Sequence, residues 1–398
     1  MDEKRRHLGF INVAHFVDHY VLLIFPTVVI GLVADLQRSY GELIALSTAC
    51  FVAFGVFSLP WGWLGDHWSR RKMMAIFFFG SALTLAAAAA APNMIWLAVA
   101  LFALGVIAAI YHPIGVTILL ANATDRGRTL ATNGVFGNLG VAFAPGVTAA
   151  IAATLGWRAA FALPALACAV IGIAYLVLTS ESKVQVADRE RTAEVSLTAQ
   201  VAAMIVAFFA LVSLSGGLVF HIITVALPKI VDERVAQDVP LVLIGSIATL
   251  VLLFGGAAQL IVGRLVSRYA PHLLFAGIGI MQAVGVGWSA VATGPTLLVA
   301  LALAIAAIYA QVTVGDVVIA RYTADAWRGR IYAVRFFLAF ISSGLAIALI
   351  AALHGRGGFG LVLTVTAGCA AIFALSTIAI AILAGRVEAG VRGVQPAE

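Results

Sequence analysis

Three side chains able to hold or release a proton fall within five residues of one apolar stretch: His15, Asp18 and His19. Spacings of three and four place all three on one face of a helix. The same residue types recur singly inside other apolar tracts, as His112, His221 and Asp316. An aspartate at the centre of a bilayer costs roughly 2.5–3.5 kcal/mol to insert, so it faces a cavity or a partner. Two chemistries suit the set. In the first, carboxylate and imidazole exchange protons near neutral pH; Asp18 and Asp316 are then the carriers, and His15, His19, His112 and His221 are relays or solute ligands. In the second, imidazole and carboxylate bind a divalent transition metal, with His19 and His221 as donors. Six methionines and three scattered cysteines (Cys50, Cys168 and Cys369) offer no soft-ligand cluster, and no cofactor is expected. At each histidine a plain interhelical hydrogen bond competes with these roles, most strongly at His112, where Pro113 frees a carbonyl.

The elements that must carry these residues are membrane spans. Of the 398 residues 63% are hydrophobic and only 11% charged, against about 45–50% and about 25% in a soluble domain. That balance excludes a soluble enzyme, a disordered chain and a secreted disulfide scaffold. The net charge of +6 comes with no basic patch interleaved with polar sequence, so no nucleic acid is expected. The first apolar segment is too long for a signal-peptide core and lacks a small-residue cleavage site. A helix needs about 20 apolar residues to cross the hydrocarbon core. Nine tracts free of Asp, Glu, Lys and Arg, from Leu43–Gly65 to Gly357–Gly385, reach that length. Two of them, Met73–Thr124 and Tyr269–Gly315, hold two spans each, hinged at Pro92-Asn93 and Gly294-Pro295. With Leu8–Ala34 the total is twelve, an even number that returns both ends to one side. Nineteen of the 24 Lys and Arg then lie on the side of the termini, leaving Arg38, Arg158, Lys229, Arg234 and Arg356 opposite. The positive-inside rule makes that populated side cytoplasmic, in a plasma or bacterial inner membrane.

Glu181–Val195 is the long charged stretch of the chain and reads as a solvated linker. The organisation expected is a six-helix bundle over 1–180, a cytoplasmic linker over 181–198, a second six-helix bundle over 199–386 and a cytoplasmic tail over 387–398. At an offset of 202, His19…Pro26 falls on His221…Pro228, and Arg126-Gly127-Arg128 on Arg328-Gly329-Arg330. These matches argue for duplicated halves with a solute site between them near the midplane. No GxxxxGK[ST] sequence is present, so an ion or solute gradient is the expected drive.

The stretch Gly62-Trp63-Leu64-Gly65-Asp66-His67-Trp68-Ser69-Arg70-Arg71-Lys72 resembles the signature between spans 2 and 3 of the major facilitator superfamily. His67 stands where a base is usual, and Ser69 where glycine is usual. Asn133-Gly134-Val135-Phe136-Gly137-Asn138-Leu139-Gly140, running on to Pro145, resembles the superfamily's span 5 glycine motif of antiporters, with Ala144 before the proline. Tyr111-His112-Pro113 is similar to the fosmidomycin-resistance branch of efflux pumps. The resemblance implies an all-α membrane protein of twelve spans in two pseudo-symmetric bundles, with spans 1, 4, 7 and 10 lining a cavity. It implies that Asp66, Arg70 and Arg71, with Arg126, Arg128, Arg328 and Arg330, gate the cytoplasmic ends. Gly134, Gly137, Gly140 and Pro145 are expected to seal span 5 against span 8, since small residues let helix backbones approach. The function implied is secondary transport of a small organic solute by alternating access, coupled to protons and exporting by antiport. The alternative is a symporter of an organic anion or a transition-metal ion. A membrane enzyme or receptor is disfavoured because no loop is large enough for a catalytic domain. The partners are a small solute, protons and lipid, and a monomer is the usual state for the family.

Overall fold

A computed structural model describes residues 3–181, 199–235, 239–322 and 325–392. Among these residues every regular element is a helix: α1 (Glu3–Leu22), α2 (Ile24–Leu36), α3 (Tyr40–Ile44), α4 (Thr48–His67), α5 (Arg70–Ala89), α6 (Met94–Ala108), α7 (Tyr111–Asn122), α8 (Arg126–Leu155), α9 (Trp157–Leu178), α10 (Ala199–Arg234), α11 (Leu241–Leu265), α12 (Pro271–Val291), α13 (Gly294–Tyr322) and α14 (Asp325–Arg392). Eleven helical stretches have the length and hydropathy to cross a membrane, and the last, Phe337–Arg386, runs for 50 residues. That is twice a span. The backbone leaves helical geometry at Gly357 and Gly358, the latter at φ 57°, a left-handed value that favours glycine. The stretch is therefore two spans, and twelve result.

Local chemistry explains the boundaries. Ser69 caps α5 by accepting from the Lys72 amide at 3.1 Å. Asn93 caps α6 through the Trp96 amide at 3.0 Å, and Asp125 caps α8 through the Arg128 amide at 3.0 Å. Each oxygen satisfies an amide that the first helical turn leaves without a partner. The first and fourth spans break midway, and proline is the cause in each. Pro26 lies in the first turn of α2 and Pro113 in that of α7. A proline has no N–H to continue a helix from behind but is tolerated in an opening turn. Each span thus restarts beside its polar residues.

Packing divides the chain into two units. The first comprises 1–188, 224–253 and 343–356. Within it α1 lies against α7 and α8, α5 against α9, and α4 against α6. The segments from later in the chain are fastened to this unit at the ends away from the N-terminus. Gly146 donates its amide to Thr249 Oγ1 at 3.0 Å, and Ser343 Oγ donates to the Phe51 carbonyl at 3.1 Å. Glu233 accepts from His354 at 3.0 Å, and the His354 ring meets Tyr40 edge-on, with centroids 4.9 Å apart. The second unit comprises 189–223, 254–342 and 357–398. There α12 packs on α13 over a core that includes Phe209, Phe275, Val314, Tyr322 and Phe373. The expected linker at 181–198 lies, apart from Glu181, outside the described residues.

Candidate functional site

The polar residues of α1 point into the first unit at the level where the first and fourth spans restart. Asp18 is fully buried, and neither carboxylate oxygen has a hydrogen-bond partner. His112 Nε2, from the first turn of α7, faces Asp18 Oδ2 at 3.4 Å. A buried carboxylate with no hydrogen bonds is costly unless a proton or cation compensates it, and the facing imidazole is the group placed to do so. His112 therefore turns to Asp18.

His15 and His19 complete the group. Their Nε2 atoms stand 3.2 Å apart, and the rings of both lie 5.6 Å, centroid to centroid, from that of His112. One ring nitrogen from each of His15, His19 and His112 falls within 4.8 Å of the other two. His15 Nδ1 is 2.8 Å from the Asn133 backbone carbonyl. A carbonyl only accepts, so His15 carries a hydrogen on Nδ1 and, when neutral, has its lone pair on Nε2. His19 must then supply the hydrogen between the two rings. Tyr111 stacks on His15 at 4.8 Å and 20° and donates its hydroxyl to Asn133 Oδ1 at 3.0 Å. The Asn133 amide donates in turn to Asn12 Oδ1 at 3.0 Å. The site thus needs two residues, Tyr111 and Asn133, that were seen in the sequence only as motif members. A buried amide at the start of an apolar span demands partners, and that was the signal for Asn133.

The glycine stripe on α8 has a use different from the expected seal. A Cβ on Gly137 would stand 2.5 Å from Cε1 and Nε2 of His15, and one on Gly140 would overlap the Phe16 carbonyl, while one on Gly134 would touch nothing within 4 Å. Gly137 and Gly140 therefore bring α8 onto α1. The close approach to the eighth span comes later, where a Cβ on Gly245 would stand 2.6 Å from the Pro145 carbonyl and one on Gly146 would stand 2.7 Å from Thr249 Oγ1. The stripe spans more than two helical turns and drifts around the axis, so its two ends cannot face one neighbour.

In the second unit Asp316 pairs with Arg335. The Asp316 side chain is 50% exposed and that of Arg335 19%, so this acid is half solvated and already neutralised, unlike Asp18. His221 meets Phe220 edge-on at 5.1 Å and is hydrogen-bonded to the Ala339 backbone. His221 and Asp316 thus belong to the second unit, and the imidazoles that gather around His19 are His15 and His112. Buried in the same unit is Gln282, whose amide atoms have no hydrogen-bond partner.

The expected gating residues are dispersed. Asp66, 74% exposed, pairs with Arg70 at 3.3 Å. Capping of α5 falls to Ser69 instead, whose hydroxyl also donates to Glu181 at 2.5 Å. Arg71 donates to the Leu176 carbonyl at 2.6 Å, fastening α5 to the end of α9. Arg128 is exposed and offers only its backbone amide to Asp125. The side chains of Arg126, Arg328 and Arg330 lie outside the described residues.

Twelve apolar helical spans with a carboxylate and imidazoles buried inside them define a multi-pass α-helical membrane protein with a polar centre. Residues 8–237 match the family model described as Major Facilitator Superfamily. The chain belongs to that superfamily. It is 29% identical over 129 residues to a probable L-galactonate transporter of Escherichia coli K12, which covers 32% of this chain and 28% of that protein. It is 26% identical over 147 residues to an uncharacterized MFS-type transporter, YfnC, of Bacillus subtilis 168, covering 37% and 36%. The chain thus spans about a third of the length of the curated relatives it matches. Among solved structures it is similar to a D-xylose-proton symporter, with TM-score 0.74 and 14% identity over 94% of this chain and 97% of that one. A bacterial Spinster homologue in an inward-facing, occupied conformation matches with TM-score 0.72 and 12% identity over 98% and 96%. At such identities the likeness is one of fold.

Proposed function

We propose that this protein is a secondary transporter that moves a small organic solute by alternating access and couples the movement to protons at Asp18. The observation that carries the reading is the fully buried, hydrogen-bond-free carboxylate facing His112 at 3.4 Å. A carboxylate so placed is tolerable with a proton and costly without one, so its protonation can bias a protein between two conformations. A proton shifts that equilibrium by the difference in its affinity for the two states. His112 faces Asp18, and the His15 and His19 rings lie beside it as the exchange partners. The charge pattern of the loops supports a plasma or inner membrane with both termini cytoplasmic. The span 5 motif supports export by antiport.

A second reading, symport of an organic anion, is favoured by the relative named as a probable L-galactonate transporter. Proteoliposomes with imposed pH gradients and a solute panel of sugar acids, phosphonates and divalent metal salts decide between them. Accumulation on the acidic side marks antiport, and accumulation on the alkaline side marks symport. Asp18→Asn is expected to abolish accumulation while solute exchange without a gradient continues. Accumulation undiminished in Asp18→Asn would overturn the coupling assignment, as would transport of a divalent metal alone.

A further inference from the structure

Three imidazoles meet in the polar centre of the first unit, where one carboxylate would suffice to carry a proton. We propose that His15, His19 and His112 form a binding site for one divalent transition-metal ion of the zinc class, which ties α1 to α7. The site goes beyond the transport reading above and stands on geometry, whether or not Asp18 couples flux to protons.

The spacing of the donors fits one ion. His15 and His19 lie a helical turn apart on α1, the i, i+4 spacing at which two imidazoles on one helix face take a metal. Their Nε2 atoms stand 3.2 Å apart. Metal–nitrogen bonds of about 2.0–2.1 Å at tetrahedral angles separate two donor nitrogens by about 3.3–3.4 Å, so this pair is already at chelating distance. The ring centroids are 4.9 Å apart, closer than those of two rings pointing straight at each other across that gap. The nitrogens therefore aim off the line that joins them, as two donors to one ion must. The His112 ring lies 5.6 Å from each of the other two, level between them. A nitrogen from each ring falls within 4.8 Å of the other two. Closing the rest of that distance falls to His112, whose side chain is 27% exposed and not held by packing on every side.

The surroundings prepare the donors. His15 Nδ1 gives its hydrogen to the Asn133 carbonyl at 2.8 Å, which leaves the lone pair on Nε2. An outer carbonyl of this kind orients a ligating imidazole and fixes its tautomer. Tyr111 stacks on the same ring at 4.8 Å, and a Cβ on Gly137 would stand 2.5 Å from it, so the ring is held in place. His19 binds by carrying its hydrogen on Nδ1 instead of Nε2, and no proton is gained or lost. Asp18 Oδ2, 3.4 Å from His112 Nε2, brings a negative charge to the edge of the group. Imidazole donors suit zinc and its neighbours, whereas magnesium and calcium seek oxygen. His221, the donor expected from the internal repeat, lies in the second unit and is bonded to the Ala339 backbone.

Untagged full-length protein in detergent is titrated with zinc chloride and, separately, with cobalt chloride. One equivalent of zinc is expected to bind saturably, and cobalt to give the intense visible bands of a tetrahedral centre. His15→Gln, His19→Gln and His112→Gln should each weaken zinc binding at least about tenfold, while His221→Gln should leave it unchanged. Zinc at about a hundredfold excess over its Kd should raise the wild-type melting temperature by about 5–11 °C. Absence of saturable zinc, a six-coordinate cobalt spectrum, or undiminished affinity in both His15→Gln and His19→Gln would overturn the site. The cobalt spectrum needs only wild-type protein, so the test holds where a variant fails to fold. The two readings fail separately. If gradient-driven accumulation survives Asp18→Asn while wild type binds one zinc, proton coupling at Asp18 falls and the metal site stands. Accumulation that depends on Asp18 in a protein that binds no zinc sinks the metal site alone.

Discussion

Removing either partner of the Asp18–His112 pair should give opposite results for stability. At 3.4 Å two full charges attract by about 5 kcal/mol at an effective dielectric near 20, and withdrawing each from water costs several kcal/mol. The pair is therefore close to neutral for stability, and its two halves are not equivalent. Asp18→Asn replaces a buried carboxylate lacking hydrogen bonds with an uncharged group of the same shape, so the protein should be unchanged or stabilised. His112→Leu leaves the carboxylate buried and uncompensated, which costs about 3–5 kcal/mol. At roughly 2–4 °C per kcal/mol for chains of 150–250 residues, the melting temperature should fall by about 6–20 °C. The double variant should recover most of that loss, because the stranded charge is gone. Acid should shrink the His112→Leu defect too, since a protonated Asp18 buries no charge. The assay is thermal unfolding in detergent followed by tryptophan fluorescence, at pH 8 and pH 5, beside gradient-driven flux. Equal destabilisation by both single variants, with no recovery in the double, would show that the pair is ordinary packing.

The glycine stripe offers a second contrast in the same assay. Gly134→Ala, with nothing within 4 Å of the added carbon, should stabilise α8 by about 0.5–1 kcal/mol through backbone entropy; Gly140→Ala should be destabilised by its overlap with Phe16. Gly41→Val drives a side chain toward the Ala351 carbonyl, 2.7 Å from the new Cβ, at an overpacking cost of about 1–3 kcal/mol. It should raise maleimide labelling of a cysteine placed at buried Ser343 in a background without Cys50, Cys168 and Cys369. Asp66→Asn should abolish solute flux while moving stability by less than about 1 kcal/mol, the worth of an exposed ion pair; normal flux in that variant removes its gating role.

Much of the architecture could be read from the chain alone. Hydropathy and charge are summed over a local window, so the spans, the separation of the last two near Arg356 and the crowding of bases on one side needed no contacts. The sharing of one face by His15, Asp18 and His19 follows equally from helical period. Which groups those residues meet does not. His112 lies 94 positions from Asp18, and two helices joined by distant loops can rotate about their axes without changing any local pattern. The prediction that Gly137 faces span 8 failed for that reason: a small residue shows that something comes close, and only the neighbour's position shows what.

The same division holds for the chemistry. The sequence by itself determined that titratable groups lie within spans 1, 4, 7 and 10, because each interrupts an apolar tract. The tertiary structure decided which of them form a working group. It left Asp18 without hydrogen bonds beside His112, gave Asp316 a guanidinium, and capped His15 with the Asn133 carbonyl. The reason is physical. Burial, hydrogen bonding and the tautomer of an imidazole are set by atoms a few ångströms away in space, and those atoms come from helices far apart along the chain.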